Sequence, residues 1–172
     1  MVDLVPMTEE EFHRFRERSV RDYAREGVRT GRWSETEAER QSRAEFAALV
    51  PQGRATPDHF FGRLRDPASG EFVGTVWYAL RPAPGGRELF LFWLGIDPGY
   101  RRRGFARATL EQLAGEAGRI GAVRLALHVF GDNLPAIALY EQAGFRPASV
   151  LMTRPIGGPA DPSAPRRAGG TP

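Results

Sequence analysis

The chain contains no cysteine and no lysine. The first absence excludes a disulfide framework, a thiolate metal site and a cysteine nucleophile. The second excludes a Walker phosphate loop, which needs Gly-Lys-Ser/Thr, and the G-x-G-x-x-G dinucleotide fingerprint is missing as well. No run approaches about eighteen consecutive apolar residues, and Met1-Val2-Asp3-Leu4 opens no basic-then-apolar signal pattern. The expectation is a soluble, cytoplasmic protein with no membrane partner. No internal repeat is visible, and 172 residues suffice for one domain that buries a core without disulfides or metal.

All 24 basic residues are arginines, set against 21 acidic residues for a net charge of +3. Arginine in place of every lysine reads as a coding bias rather than a function. The two signs are interspersed, which does not favour a nucleic-acid partner. Arg14, Arg16, Arg18, Arg21 and Arg25, set among Glu9, Glu10, Glu11, Glu17, Asp22 and Glu26, have the pattern of a solvated helix surface.

The chain is organised around residues 89–106, LFLFWLGIDPGYRRRGFA. An apolar strand pattern stops at Asp97-Pro98-Gly99. A basic loop, Arg101-Arg102-Arg103, then delivers Gly104-Phe105-Ala106 at the start of a helical pattern. A helix start carries unpaired N–H groups and about half a positive charge, and glycine lets a bulky anion approach the main chain. Such a loop suits a pyrophosphate; a solvated arginine turn before a surface helix is the plain alternative.

A second segment, residues 125–145, adds Asn133-x-x-Ala136-x-x-x-Tyr140-Glu141-x-x-Gly144-Phe145. Arg101-x-x-Gly104-x-Ala106 followed by this pattern resembles the GCN5-related N-acetyltransferase (GNAT) superfamily, over roughly residues 59–154. The resemblance implies an α/β (α+β) fold: a mixed, mostly antiparallel twisted sheet flanked by helices, with a parallel strand pair splayed at an acetyl-CoA cleft. Residues 1–156 would form a single domain. Within it, residues 1–57 form a helical acceptor-side region and 58–156 the acetyl-CoA core. Residues 157–172, rich in Gly, Pro and Ala, are expected to be a disordered tail.

Periodicity predicts a helix from the Thr8-x-x-Glu11 capping box to near Gly27, with Phe12, Phe15 and Tyr23 on its apolar stripe. A second helix opens at Ser34-x-x-Glu37, carries Ala38, Phe46, Leu49 and Val50, and stops at Pro51. Strands follow over 59–64 and 72–80, the latter apolar enough to be central and covered on both faces. The helix from Gly104 to Gly118 should bury Ala106, Leu110, Leu113, Ala114 and Ala117 and turn Arg107, Glu111, Gln112 and Glu116 to water. A strand over 123–129, a helix with Pro135 in its first turn and Gly144 as its left-handed cap, and a last strand over 145–154 with Val150 and Met152 in the core complete the expectation.

The resemblance further implies transfer of an acetyl group from acetyl-CoA, as cosubstrate, to a small-molecule or peptide amine. Main-chain groups of Leu94, Gly95 and Ile96 would pair with the pantetheine amides, and the N–H groups from Arg102 to Ala106 would hold the pyrophosphate. Asn133 and Ala136 fall on the pantetheine side, with a plain helix cap as the other reading of Asn133. Tyr140 matches the position facing the departing sulfur in many relatives, against a plain role as a core plug. The strand of residues 89–96 holds no carboxylate, where many relatives carry their base. Glu88 and His59 are the candidate bases, and relay to bulk water is a third route. No metal site is expected, and pairing of two copies through last strands is an arrangement found among relatives. A weakly catalytic acetyl-CoA-binding regulatory module is the alternative, motivated by the missing carboxylate. A nucleic-acid binder using residues 101–103 is a third class.

Overall fold

The computed structural model describes residues 1–154; the tail expected over 157–172 lies outside the described residues. Strand β1 (Asp3–Pro6) precedes helices α1 (Glu9–Arg29) and α2 (Ala38–Leu49). Strands β2 (His59–Arg65), β3 (Phe72–Ala83) and β4 (Gly86–Ile96) form a meander, followed by α3 (Phe105–Arg119), β5 (Arg124–Leu127) and α4 (Leu134–Gln142). One sheet holds all five in the order β1-β2-β3-β4-β5. The first three pairings are antiparallel and β4–β5 is parallel, so the expected mixed, mostly antiparallel sheet with one parallel pair is what forms.

β3 is central and is covered on both faces, as its unbroken apolar sequence requires. On one face Trp77 joins Phe12, Phe15 and Phe46 of α1 and α2 together with Phe61. On the other, Val73 and Val76 meet Leu110 and Leu113 of α3. The Thr8–Glu11 capping box is complete: Glu11 N–H donates to the Thr8 hydroxyl and Thr8 N–H to the Glu11 carboxylate. Gly27 is required in α1 because the Trp33 ring lies where a β-carbon would stand, 2.1 Å away.

Several expectations are corrected. β1 has no counterpart in the sequence reading, because four residues are too short for a visible alternation; its neighbours Val2 and Met7 are nevertheless fully buried. In α3, Leu110, Leu113 and Ala117 are buried, but Ala114 is exposed and Gln112 half-buried. Thr109 takes a place in the core because its hydroxyl donates to the Phe105 carbonyl one turn back, 2.9 Å away. Tyr23 and Leu49 lie at the surface. Residues 145–154 form no strand: Val150 and Met152 are 72% and 88% exposed, and β5 offers no paired partner on its outer edge among the described residues. Pro147, which lacks an N–H for a ladder, interrupts that stretch. No described helix is long and apolar enough to cross a membrane.

Candidate active site

β4 changes character halfway along its length. Against β3, Trp77 pairs with Trp93 and Tyr78 with Leu91, which leaves Phe92 as an extra residue. A bulge of this kind turns consecutive side chains to one face and disrupts the ladder. Phe92 and Trp93 accordingly both pack on the α1/α2 side, whereas Leu91, Leu94 and Ile96 pack on the α3 side. Pairing with β5 ends at the same place: the last matched pair is Leu91–Leu127. From Phe92 to Ile96, β4 is hydrogen-bonded to β3 alone. Leu94, Gly95 and Ile96 thus line a wedge between two parallel strands, with one main-chain edge free to pair with an extended ligand.

The wedge leads into the arginine loop. Arg102 and Gly104 both have positive φ, 63° and 84°, a left-handed backbone that folds successive N–H groups towards a common centre. The first helical bond of α3 runs from Ala108 N–H to the Gly104 carbonyl. Among the described residues, no backbone acceptor takes the N–H groups of Arg102, Arg103, Gly104, Phe105, Ala106 or Arg107. Arg101, Arg102, Arg103 and Gly104 are exposed, while Phe105 is half-buried and anchors the helix start to the α3-side core. Arg101 turns back so that its Nε donates to the Ile96 carbonyl at 3.1 Å, and the Arg103 guanidinium lies over the Tyr100 ring. Open space surrounds Gly104 where a β-carbon would stand, so glycine is required there by its φ rather than by crowding.

The second motif is one helix with both of its caps. The Asn133 Oδ1 accepts from the Ala136 N–H at 3.3 Å, so the capping role weighed for Asn133 is realised and its amide NH₂ remains a donor. At the other end Gly144, with φ 90°, donates to the Glu141 carbonyl, and Phe145 N–H donates to the Tyr140 carbonyl, both at 3.0 Å. These are the two bonds of a Schellman motif. Its usual apolar contact falls between Phe145 and Tyr140, whose rings meet edge-on with centroids 5.8 Å apart. Gly144 and Phe145 thereby fix the Tyr140 ring. Tyr140 packs against the same α3-side core as Leu94, Ile96 and Phe105, so its helix borders the wedge. Burial pushes its phenol above the ordinary value.

The two candidate bases are placed differently from what their role requires. Glu88 is buried, with Oε1 held by Arg81 Nε at 2.7 Å and Oε2 by Arg124 Nε at 2.5 Å. Burial raises its pKa, but the two guanidinium bonds outweigh burial and the net shift is downward. A carboxylate so held is a poor proton acceptor, and its evident work is to tie β3, β4 and β5 together. His59 accepts at Nδ1 from the Trp77 indole N–H, 3.0 Å away. Since indole nitrogen only donates, Nδ1 bears no proton and the neutral ring carries its hydrogen on Nε2. Burial lowers the imidazole pKa against the opposing pull of Asp58. His59 therefore presents a neutral N–H donor, and to take a proton it must give up Trp77.

The α1 side of the wedge is aromatic. Phe92 stacks on Trp77 with centroids 4.5 Å apart and on His59 at 5.8 Å, and Phe90 meets it edge-on at 4.8 Å. Neither Trp77 nor Phe90 was singled out from sequence, since only the pairing of β2, β3 and β4 brings them together. At the wedge's outer end, Arg29 of α1 pairs with Asp132 beside Asn133 and lies over Phe130.

The profile of the Acetyltransferase (GNAT) family matches residues 15–145. Two Bacillus subtilis (strain 168) proteins named as N-acetyltransferases, YdgE and YycN, are each 34% identical over 153 residues, covering 89% of this chain and 97% of the relative. The crystal structure of the B. subtilis acetyltransferase YycN superposes with a TM-score of 0.83 at 33% identity, over 92% of this chain and 100% of that one. A Pyrococcus furiosus acetyl transferase shares the fold, with a TM-score of 0.63 at 23% identity over 91% of this chain and 100% of that one.

Proposed function

Because the chain belongs to the GNAT acetyltransferase family, we propose that it moves an acetyl group from acetyl-CoA to a primary amine by direct attack within a ternary complex. The observation that carries this reading is the coincidence at Phe92: the bulge in β4 falls where the β4–β5 ladder ends, and the opened edge runs straight to the unsatisfied N–H groups of residues 102–107. An elongated ligand with amides at one end and a diphosphate at the other fits that sequence of features. Leu94, Gly95 and Ile96 take the pantetheine amides, with the Asn133 amide NH₂ from the facing side. The N–H groups of Arg102, Arg103, Gly104, Phe105 and Ala106 take the diphosphate, assisted by the arginine charge.

In the transfer, the amine lone pair attacks the thioester carbonyl, the new C–N bond forms, and the C–S bond breaks to release CoA thiolate. Tyr140 serves the departing sulfur as a hydrogen-bond donor. Full proton transfer from a phenol of pKa about 10 to a thiolate of pKa about 8.5 is uphill by roughly 2 kcal/mol, and burial of Tyr140 steepens that slope. A hydrogen bond that strengthens as charge builds on sulfur is the easier role. With Glu88 locked between two arginines and His59 bound to Trp77, the amine gives its proton to water.

The reading is tested by following thiol release from acetyl-CoA over a panel of amines, beside calorimetry of acetyl-CoA alone. Amine-dependent release is expected. Tight binding with no release from any amine contradicts an enzyme and favours the regulatory module.

A further inference from the structure

We infer that the acceptor is an α-amine, the N-terminus of a peptide with an apolar first side chain, whose carbonyl oxygen accepts a hydrogen bond from His59 Nε2–H above the Phe92 ring. The inference rests on the transfer reading above and narrows its substrate.

Four features of one surface converge on it. The first is the donor. His59 is clamped by Trp77 at Nδ1 and lies flat between Phe61 and Phe92, with interplanar angles of 18° and 21°. Its free Nε2–H is therefore held in direction, and it suits an oxygen acceptor rather than an ammonium. The second is the floor. In the β2–β3–β4 register His59 faces Ala79 and Ala79 faces Phe90, and Phe92 stands against the rings of His59, Trp77 and Phe90. Phe90, Phe92 and His59 are only partly buried, and this open aromatic strip begins where β4 leaves β5. It suits an apolar group.

The third feature is charge. Rings near the wedge already carry the protein's own cations: Arg81 over Phe90 at 3.5 Å, Arg18 over Trp93 at 5.5 Å and Arg29 over Phe130 at 5.7 Å. The neighbouring carboxylates are neutralised, Asp58 by Arg87, Glu88 by Arg81 and Arg124, and Asp132 by Arg29. A polyamine or aminoglycoside finds each of these carboxylates already paired, and it meets fixed positive charge at Phe90, Trp93 and Phe130.

The fourth is the proton. A site that leaves deprotonation to water favours amines already neutral in solution. At pH 7 about 10% of a peptide's terminal α-amine, of pKa near 8, is free base, against about 0.04% of an alkyl amine of pKa 10.4. That difference of roughly 200-fold acts before any contact is made.

Steady-state kinetics with three probes test the inference: phenylalanyl-glycine, phenethylamine, which keeps the ring and loses the carbonyl, and spermidine. At pH 7 the dipeptide is expected to exceed phenethylamine in kcat/KM by about 100-fold or more, with spermidine lowest. His59→Leu should raise KM for the dipeptide about ten-fold and leave both KM for acetyl-CoA and KM for phenethylamine unchanged; His59→Gln, which keeps a donor, should recover part of the loss. Equal losses on dipeptide and phenethylamine assign His59 a structural role and overturn the inference, as does a preference for spermidine. If His59→Leu does not fold, His59→Gln and the wild-type ranking decide. Silence with every amine, with acetyl-CoA bound, overturns the transfer reading itself and the acceptor assignment with it.

Discussion

The two walls of the wedge are built on opposite plans. On the α3 side, the loop from Arg102 to Gly104 leaves its main-chain donors without backbone acceptors among the described residues and its side chains exposed, open to a ligand. On the α1 side three polar groups beside the wedge have partners: Glu88 has two arginines, His59 has Trp77, and Trp93 Nε1 donates to the Thr75 hydroxyl at 3.0 Å. Beside them lie aromatic surface and the imidazole N–H of His59. In the proposed function the first wall grips acetyl-CoA by electrostatics and main-chain geometry, and it meets the same diphosphate whatever the acceptor. The second selects by shape and by the cost of leaving a donor unpaired.

The largest effect is expected from breaking the first wall. Gly104→Glu adds negative charge beside the diphosphate and forces a side chain onto φ 84°, so acetyl-CoA affinity should fall by at least about 100-fold in calorimetry. Retained affinity places the diphosphate elsewhere. Tyr140→Phe should lower kcat by about ten-fold while leaving acetyl-CoA affinity near wild type, because only a donor to the leaving sulfur is lost. An unchanged kcat removes Tyr140 from the chemistry.

A subtler test separates the walls by pH. Glu88 and His59 are both shifted downward, so neither titrates between pH 7 and 10. The rise of kcat/KM with pH should then follow the ammonium pKa of whichever acceptor is used and move when the acceptor is changed. An inflection fixed near pH 6 for every acceptor identifies a protein base instead. The smallest effect on activity is expected from Glu88→Gln: kcat within a few-fold of wild type, with a loss of about 1–2 kcal/mol in stability in denaturant titration. The loss stays modest because Arg81 and Arg124 are half exposed and return to water. A collapse of kcat with stability intact restores Glu88 as the base.

The same contrast explains what the sequence disclosed. The acetyl-CoA wall depends on local geometry: a glycine at positive φ, free N–H groups at a helix start, and an Asn cap and Gly-Phe cap around Tyr140. Each lies within a few residues of its partner, so spacing reveals it. The acceptor wall depends on register. The sequence marks Phe92 and Trp93 as an aromatic acceptor wall and His59 as a candidate base, but their arrangement comes from one residue of β4 bulging against Trp77 and Tyr78 and from Trp77, eighteen positions on, being brought beside His59. No periodicity signals a one-residue bulge in an all-apolar run. Glu88 stood out in sequence as the carboxylate nearest an apolar strand, but the two arginines that hold it come from positions 81 and 124. The strand expected over 145–154 failed for a related reason: an apolar pattern specifies a face to bury, and no described element covers Val150 or Met152.

The most direct measurement is the set of backbone amide shifts on titrating the protein with CoA. Large changes are expected at Leu94, Gly95 and Ile96 and across residues 102–107, with smaller ones at Asn133 and Tyr140. Shifts confined to residues of α1 and α2, with the amides of 102–107 unmoved, contradict this placement of CoA.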